Sequence, residues 1–303
     1  MLWKIYRNGL GCVYVVIISL NTVFWVSILC MVVFCKILIP VKAWSQLCSL
    51  IAVKIAEAWI SGNKLLINAT QSIDWDIEGC EGLDRKTSYF VICNHQSWMD
   101  IVVLQHVFNR KIPLLRFFLK KQLLFFPILG FAFWALDFPF VRRYSAETLK
   151  AQPKLRNRDR ESVRKRCQRL KKTPVSILNF LEGTRYCPEK HKKQRSPYHH
   201  LLKPKVGGLA LALEAMGEQF SVILDVTIVF PPGPTTLWDL LTERIHHIVV
   251  RVSKYEIPTE FLQSHSMDDP VYREQIKKWV TEIWERKDQL IEQLRQDPNP
   301  YPI

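Results

Sequence analysis

The sequence predicts an α/β domain built on a mixed, largely parallel sheet flanked by helices, preceded by an N-terminal membrane-anchoring helix or helical hairpin. Two observations lead to this fold class. Residues 9–35 form an uncharged and strongly apolar run. Over the rest of the 303 residues, short apolar runs typical of buried strands alternate with segments of helical periodicity. Such alternation is typical of a sheet whose strands are joined by helices.

The apolar run at 9–35 is long enough to cross a membrane, because roughly 20 helical residues span the hydrocarbon core. A cleaved signal peptide is the alternative, but its apolar core is normally about 7–15 residues long. A second apolar stretch, at 43–60, contains Lys54 and Glu57. Since charges are costly at the bilayer centre, this stretch is predicted to be an interfacial helix or the second arm of a hairpin.

We therefore divide the chain into a membrane anchor at 1–63 and an α/β domain at 64–303. More basic residues follow the first apolar run than precede it. This bias favours a domain that faces the cytosol, at the inner membrane if the cell is bacterial. The eight cysteines show no C-x-x-C spacing, so a reducing compartment is the simplest interpretation.

The formal net charge is +14 and is unevenly distributed. Between residues 142 and 172, thirteen Lys and Arg residues stand against three acidic ones. A segment of this kind favours anionic partners: lipid headgroups, a phosphorylated ligand, an acidic carrier protein or nucleic acid.

The elements of the α/β part follow from the apolar pattern. Residues 112–141 are aromatic and apolar but are interrupted by charges, Pro127 and Gly130. These breakers predict a lipid-facing or acyl-chain-lining element instead of another span. Strands are predicted at 72–78, 88–93, 175–181, 222–230 and 247–253, and helices at 97–108, 161–172, 205–216 and 271–294.

A polar turn follows the strand at 88–93, and it contains Asn94, His95 and Asp100. Open α/β sheets bind ligands at the carboxyl ends of their strands. Asp100, in the first turns of the next helix, can bind one imidazole nitrogen of His95 and leave the other as a general base for a substrate hydroxyl. When an H-x4-D spacing occurs alone, it more often arises from a surface histidine and a helix-start aspartate that have no functional relation to each other.

A second polar turn, residues 182–185, follows the strand at 175–181. Gly183 lets the backbone approach a ligand, Arg185 offers a planar fork for phosphate, and Thr184 offers a hydroxyl. Glu182 can orient Arg185 or accept a hydrogen bond from a substrate hydroxyl. Taken alone, this is more often an ordinary strand-exit turn with an ion pair.

Together the two turns resemble the glycerolipid acyltransferases, the PlsC-like 1-acylglycerol-3-phosphate O-acyltransferases. The first block of that family, N-H-x4-D, is matched by Asn94, His95 and Asp100. Its third block, F-P-E-G-T-R, is matched by residues 180–185, with Leu181 in place of the proline.

Three further segments are similar to family elements more loosely. Residues 137–143 resemble the second block, G-x-x-F-I-x-R without its glycine, which indicates Arg143 as a phosphate contact. Residues 120–123, Lys-Lys-Gln-Leu, approximate a Lys-Lys-Glu-Leu element and add Lys120. The fourth block usually has a proline, but residues 224–228 read Leu-Asp-Val-Thr-Ile, closer to the lysophospholipid and lysocardiolipin acyltransferase branch.

The resemblance implies a membrane-bound enzyme that moves a fatty acyl group from acyl-CoA or acyl-ACP to the free hydroxyl of a lysophospholipid, with 1-acylglycerol-3-phosphate the expected acceptor. His95 would be the base and Asp100 its orienting partner, while residues 182–185 and Arg143 would bind the acceptor phosphate. The expected partners are membrane lipids, the lysophospholipid acceptor and the thioester donor. No cofactor, metal or nucleic acid is expected.

Other interpretations stay open at this point. A catalytically inactive lipid-binding protein would have lost His95 or Asp100, and a membrane-tethered nucleic-acid binder would use the basic segment, which has no recognised binding motif. Cys93 is a conceivable nucleophile, but burial in an apolar strand would keep its thiol protonated. The basic loop at 190–195 is either solvated or contacts the thioester carrier.

Overall fold

The computed structural model describes residues 2–125, 128–141, 161, 170, 173–231, 236–262 and 269–296. Nearly all of the basic segment at 142–172, including Arg143 and most of the helix predicted at 161–172, lies outside the described residues.

Two long helices come first, α1 (Leu2–Leu38) and α2 (Lys42–Thr70), and they form a hairpin. Polar side chains join the two arms: Asn21 Nδ2 donates to Asn63 Oδ1 at 2.9 Å, and Lys36 Nζ donates to Ser49 Oγ at 2.8 Å. The stretch at 43–60 is thus the second arm of a hairpin. The helix continues through residue 63 to Thr70, so the proposed domain division stays a prediction.

α1 is long and apolar enough to cross a membrane by length and composition, a test that a buried core helix or a signal sequence also passes. One side of α1 packs on the protein, where Tyr14, Leu29 and Val33 are buried. The opposite side leaves large apolar side chains uncovered, among them Leu20, Phe24, Met31 and Phe34. α1 therefore lies against the rest of the chain and presents one apolar face outward.

The sheet is mixed and largely parallel, which confirms the predicted fold class. Its strands are β1 (Asp74–Glu78), β2 (Tyr89–Cys93), β3 (Leu115–Phe117), β6 (Ser176–Phe180), β7 (Val222–Val229) and β8 (His247–Glu256), with β4 (Leu119–Lys120) and β5 (Phe140–Val141) forming a separate parallel pair. The order across the large sheet is β1-β8-β7-β2-β6-β3, and among these neighbours β7 and β8 are the antiparallel pair.

β2 is central, and all five of its residues are buried because both faces of the sheet are covered. Successive side chains point to opposite faces. Val91 and Cys93 pack in a core that also contains buried side chains of α1 and α2. Phe90 and Ile92 pack in a second core on the other face. The helical hairpin therefore shares a hydrophobic core with the sheet.

Seven further α-helices follow the hairpin in the described part of the chain. They are α3 (Met99–Phe108), α4 (Leu129–Ala135), α5 (Pro188–Gln194), α6 (Gly207–Met216), α7 (Leu237–Leu241), α8 (Thr259–Leu262) and α9 (Pro270–Gln296). α6 and the apolar face of α9 build the second core, as the helical periodicity of 205–216 and 271–294 predicted. The stretch at 112–141 divides into β3, β4, a 3₁₀ turn, α4 and β5, elements too short to show a period.

Candidate active site

The carboxyl ends of β6, β2 and β7 meet at one edge of the sheet, because β2 pairs in parallel with both neighbours. The turns that follow β2 and β6 therefore come together, as the sequence predicted. Tyr186 N, after the second turn, donates to His95 O, in the first turn, at 2.7 Å.

His95 and Asp100 form a direct pair in which His95 Nδ1 lies 2.7 Å from Asp100 Oδ2. The same oxygen accepts from Gln96 N at 2.7 Å and from Ser97 N at 3.0 Å. Asp100 is fully buried, and burial raises the pKa of its carboxyl, while these hydrogen bonds favour the carboxylate. The carboxylate is thus fixed at the start of α3, and Nε2 of His95 is the ring nitrogen left to act as a base.

The imidazole of His95 is also held from one face. It stacks on the ring of Phe180, at the end of β6, with ring centroids 3.9 Å apart and an interplanar angle of 15°. The His95 side chain keeps 17% of its surface exposed. A base that must meet a substrate needs both features, a fixed orientation and a remaining accessible edge.

Asn94 ties the His95 turn to β7. Its side chain donates to Ile228 O and accepts from Ile228 N, each at 2.9 Å, so that it continues the pairing of β2 with β7. Gln96 Nε2 donates to the same Ile228 O at 2.7 Å. Asn94 is therefore a positioning residue in this structure, one residue before the base.

The position of Glu182 in the structure does not suit the phosphate-binding role expected for it. Its side chain is 1% exposed, and its two oxygens accept from His95 N at 2.7 Å and from Leu202 N at 3.1 Å. Burial raises the pKa of Glu182 to about 8, against the opposing effect of these two hydrogen bonds. A buried acid that holds two backbone groups neither pairs with Arg185 nor suits a phosphate, which is itself negative.

The other residues of this turn are arranged for an anion. Gly183 has a φ of +69°, a left-handed conformation that glycine adopts without strain. Lys190 Nζ donates to Thr184 Oγ1 at 2.8 Å and to Arg185 O at 2.9 Å. Arg185 is exposed, and its guanidinium carbon lies 5.3 Å from the ring centroid of Trp98, three residues after the base.

Lys205 is a basic residue at this turn that the sequence analysis missed. Its backbone N donates to Leu181 O at 2.7 Å. Its exposed side chain lies over Gly183, where an added Cβ would meet Lys205 Cδ at 3.2 Å and Nζ at 3.4 Å. No local sequence pattern pairs Lys205 with Gly183, which is 22 positions earlier, although the Lys-Pro-Lys at 203–205, just before α6, is a visible cluster of positive charge.

The roles of all the site residues stay predictions, and for two of them the structure does not describe the side chain. Arg143 lies outside the described residues, and for Lys120 the structure describes the backbone, in β4. β4 pairs with β5 so that Lys120 is opposite Val141. The two loosely matching segments are therefore neighbours in space.

A protein-family model described as Acyltransferase matches residues 74–231 of this chain. The chain belongs to the acyltransferase family. The matched range includes both polar turns and ends just after β7, so the resemblance inferred from the sequence is confirmed.

Curated relatives of this acyltransferase-family chain are distant in sequence. It is 26% identical over 241 residues to mouse 1-acyl-sn-glycerol-3-phosphate acyltransferase epsilon, covering 71% of this chain and 60% of the relative. It is 25% identical over 225 residues to 1-acyl-sn-glycerol-3-phosphate acyltransferase 2 of Brassica oleracea, covering 68% and 51%. The chain thus spans between half and two thirds of the length of these relatives.

A solved structure supports the fold of the acyltransferase-family chain. The crystal structure of the 1-acyl-sn-glycerophosphate (LPA) acyltransferase PlsC from Thermotoga maritima aligns with a TM-score of 0.53 and 19% identity, covering 96% of this chain and 98% of that one. At this identity, the likeness concerns the fold.

Cys93 is unsuited to be the nucleophile of the acyltransferase domain. The side chain is fully buried at the end of β2, and burial raises the pKa of its thiol well above the ordinary value. A protonated, inaccessible thiol does not attack a thioester. In the described part of the chain, no group of three or more His, Cys, Asp or Glu side chains could hold a metal ion.

An apolar cleft lies between the helical hairpin and the segment around α4. The cleft is narrow, with a cavity volume of about 50 Å³. Its lining is almost entirely apolar and comes from α1, α2, α4 and the neighbourhood of β3, with Trp25, Leu29, Trp59, Leu115, Phe133 and Leu136 among its residues.

Proposed function

We propose that this chain is a membrane-bound O-acyltransferase that moves a fatty acyl group from an acyl thioester to the free hydroxyl of a lysophospholipid, with 1-acylglycerol-3-phosphate the expected acceptor. The observation that carries the proposal is the 2.7 Å pair of His95 Nδ1 and Asp100 Oδ2, in a chain that belongs to the acyltransferase family. An inactive lipid-binding relative has no need to keep this pair.

In the proposed reaction, Nε2 of His95 removes the proton of the acceptor hydroxyl as its oxygen attacks the thioester carbonyl carbon. The carbon–sulfur bond then breaks, and the thiolate leaves and takes up the proton from the imidazolium. Asp100 keeps the imidazole in the required tautomer and stabilises its charged form. The acyl group passes directly from donor to acceptor, so no acyl-enzyme and no cofactor is needed.

The acceptor phosphate is proposed to bind at the Gly183–Arg185 turn. Arg185 supplies a planar fork of donors, and Lys205 and Lys190 add positive charge beside it. The His95 turn is hydrogen-bonded to the same segment through Tyr186 N. A phosphate held there would bring the nearby glycerol hydroxyl to the base, which is how fixed geometry accelerates a two-substrate reaction.

The acyl chain and the membrane are proposed to meet at the hairpin. The uncovered apolar face of α1 is unfavourable in water and favourable in lipid. The narrow cleft between the hairpin and α4 has the apolar lining that a hydrocarbon chain would require. This assignment agrees with the expected acyl-chain-lining role of 112–141, and the basic residues that follow α1 favour a catalytic domain on the cytosolic side.

The test uses the full chain, purified in detergent and transferred to mixed micelles. Labelled oleoyl-CoA or oleoyl-ACP is incubated with 1-acylglycerol-3-phosphate and with lysophospholipids bearing choline, ethanolamine or glycerol headgroups. Esterification of an acceptor that depends on His95 is the expected result. Binding of lysolipid without transfer from either donor would replace the proposal with the inactive lipid-binding alternative.

A further inference from the structure

The C-terminal helix α9 lies outside the segment matched by the family model, which ends at residue 231, yet it contacts the site through hydrogen bonds. Trp284, Lys287 and Asp288 are buried on one face of α9. Residues spaced by three and four positions share a helix face. Burial of a lysine and an aspartate in this position needs specific partners, and each of them has one.

Lys287 fixes α9 on the sheet. Its ammonium donates to Val226 O at 2.7 Å and to Thr227 Oγ1 at 3.0 Å, and it lies 2.8 Å from Asp225 Oδ1. All three partners belong to β7. The position of α9 along the sheet is therefore set by a buried charge, which tolerates little displacement because an unpaired charge there is costly.

Trp284 and Asp288 in turn hold the loop that leads into α6. Trp284 Nε1 donates to Leu202 O at 3.0 Å. The carboxylate of Asp288 accepts from His199 N at 2.7 Å and from His200 N at 2.8 Å. One face of α9 thus fixes the middle of this loop at three residues.

This loop connects α9 to the base, His95, through hydrogen bonds to Glu182. Leu202 N donates to Glu182 Oε2 at 3.1 Å, and Glu182 Oε1 accepts from His95 N at 2.7 Å. Trp284, Leu202, Glu182 and His95 therefore form a continuous hydrogen-bonded series. All of its members except His95 are at most 1% exposed.

We infer that Trp284 is a positioning residue for acyl transfer, which acts through Leu202 and Glu182 to hold the backbone of His95 at the distance from the acceptor that proton removal requires. The inference rests on the proposed function of the His95 site. It extends the catalytic unit beyond residues 74–231 to a helix that has no part in the proposed substrate contacts.

The pKa of Glu182 provides a second measurable effect of loosening this hydrogen-bonded series. In the described part of the chain, the charged and titratable groups coupled to it include Asp100, Lys287, Tyr186 and Cys93. Burial raises the pKa of Glu182, and the hydrogen bond from Leu202 N lowers it. Loosening Leu202 therefore raises the pKa further, so that the carboxylate form, which accepts the hydrogen bond from His95 N, is lost at a higher pH and the backbone of the base is held less firmly there.

The experiment compares Trp284→Phe with Trp279→Phe in the full chain. The first variant keeps an aromatic ring and removes the indole donor. The second makes the same change on the same helix at a partly exposed residue that packs on Phe261. We expect kcat to fall about three- to thirty-fold for Trp284→Phe, as a displaced base predicts. KM for both substrates should stay within about twofold, because no substrate contact is lost.

The pH profile separates positioning from a general loss of structure. For Trp284→Phe, the acid-side limb of kcat should move to higher pH, whereas it should stay in place for Trp279→Phe. If Trp284→Phe does not fold, as judged by thermal unfolding, Asp288→Asn loosens the same loop and should give the same two effects. Wild-type kcat and an unmoved pH profile in a folded variant would overturn the inference. A wild-type chain without acyl transfer would instead refute the proposed function.

Discussion

At the scale of single residues, the two buried acids Asp100 and Glu182 have different roles in the proposed chemistry. Asp100 uses one oxygen for the His95 ring and two backbone N–H groups. Glu182 uses both oxygens for backbone N–H groups, one of them that of His95. The base is therefore fixed at its ring by the carboxylate of Asp100 and at its backbone by the carboxyl group of Glu182, so that Glu182 is not available to neutralise Arg185.

The first prediction concerns this base. His95→Ala should abolish nearly all acyl transfer, and Asp100→Asn should lose a large part of it because the amide no longer selects the tautomer. Turnover is measured with labelled acyl-CoA on purified protein in mixed micelles. Membrane association should be unchanged, since the hairpin lies elsewhere. Wild-type turnover by folded His95→Ala would contradict the mechanism.

The second prediction concerns the phosphate contact. Arg185→Lys keeps the charge but loses the planar two-pronged contact. A charge-assisted hydrogen bond contributes about 1.5–3 kcal/mol, so kcat/KM should fall about ten- to a hundred-fold. The loss should appear mainly as a higher KM for the lysolipid, measured by varying each substrate at saturating levels of the other.

Arg244→Lys is the matched control for that change, because Arg244 pairs with Asp239 on the surface, and it should leave both KM values unchanged. A defect of Arg185→Lys confined to the thioester would assign Arg185 to the phosphates of the donor instead.

At the scale of elements, α3 joins the site to the hairpin and has a buried histidine near its end. His106 stacks on Trp75 of β1 with centroids 3.7 Å apart, and Lys64 Nζ donates to His106 O at 3.0 Å. Burial, with help from Lys64 and Lys111, lowers the pKa of His106 from 6.5 to about 4. Packing of α3 on β1 thus requires a neutral ring.

The third prediction follows from the sign of this shift. Between pH 6.5 and about 4, the unfolded chain binds a proton that the folded chain does not. The free energy of unfolding should therefore be complete above pH 6.5 and fall by at most about 3 kcal/mol toward pH 4. Thermal unfolding in detergent at pH 7 and pH 5 measures the difference. His106→Phe, which keeps the stack, should reduce this dependence, whereas exposed His246→Gln should not.

Whether an element or a residue's role could be predicted from the sequence depends on how far apart along the chain the interacting residues lie. β2, β6 and the turns after them were predicted because short apolar runs and the residues that follow them are local patterns. The roles of Lys205 and Trp284 were missed because each depends on a backbone group far away in the sequence. Glu182 was assigned to phosphate because a sequence does not show which carboxylate becomes buried. β3, β4 and β5 are too short to show alternation.

At the scale of the whole molecule, the helical hairpin is part of the folded unit. Buried residues of α1 and α2, such as Leu29 and Ile55, belong to the same core as Val91 of β2. Glu57 of α2 is buried and pairs with Arg85, in the loop before β2. Removal of the hairpin would expose this core, so its loss should affect stability as well as membrane binding.

The fourth prediction concerns attachment. The intact chain should remain in the membrane fraction through washes with high salt and with carbonate, because apolar contacts are not screened by ions. A chain that starts near residue 64 should lose this resistance, keep part of its affinity for anionic vesicles, and unfold at a lower temperature. Release of the intact chain by salt alone would contradict the proposed role of α1.

The uncovered apolar face of α1, which is proposed to lie in lipid, has a consequence for how the lysolipid would arrive. The lysolipid would enter by lateral diffusion within the lipid phase, so at a saturating concentration of the thioester the rate should follow the mole fraction of lysolipid in that phase. Diluting the lysolipid with inert detergent at constant total amount should therefore lower the rate, whereas adding buffer at constant composition should change it little. For such a protein, the apparent KM for the lysolipid would depend on the surface density of lysolipid in the lipid phase and not on its concentration in the bulk solution.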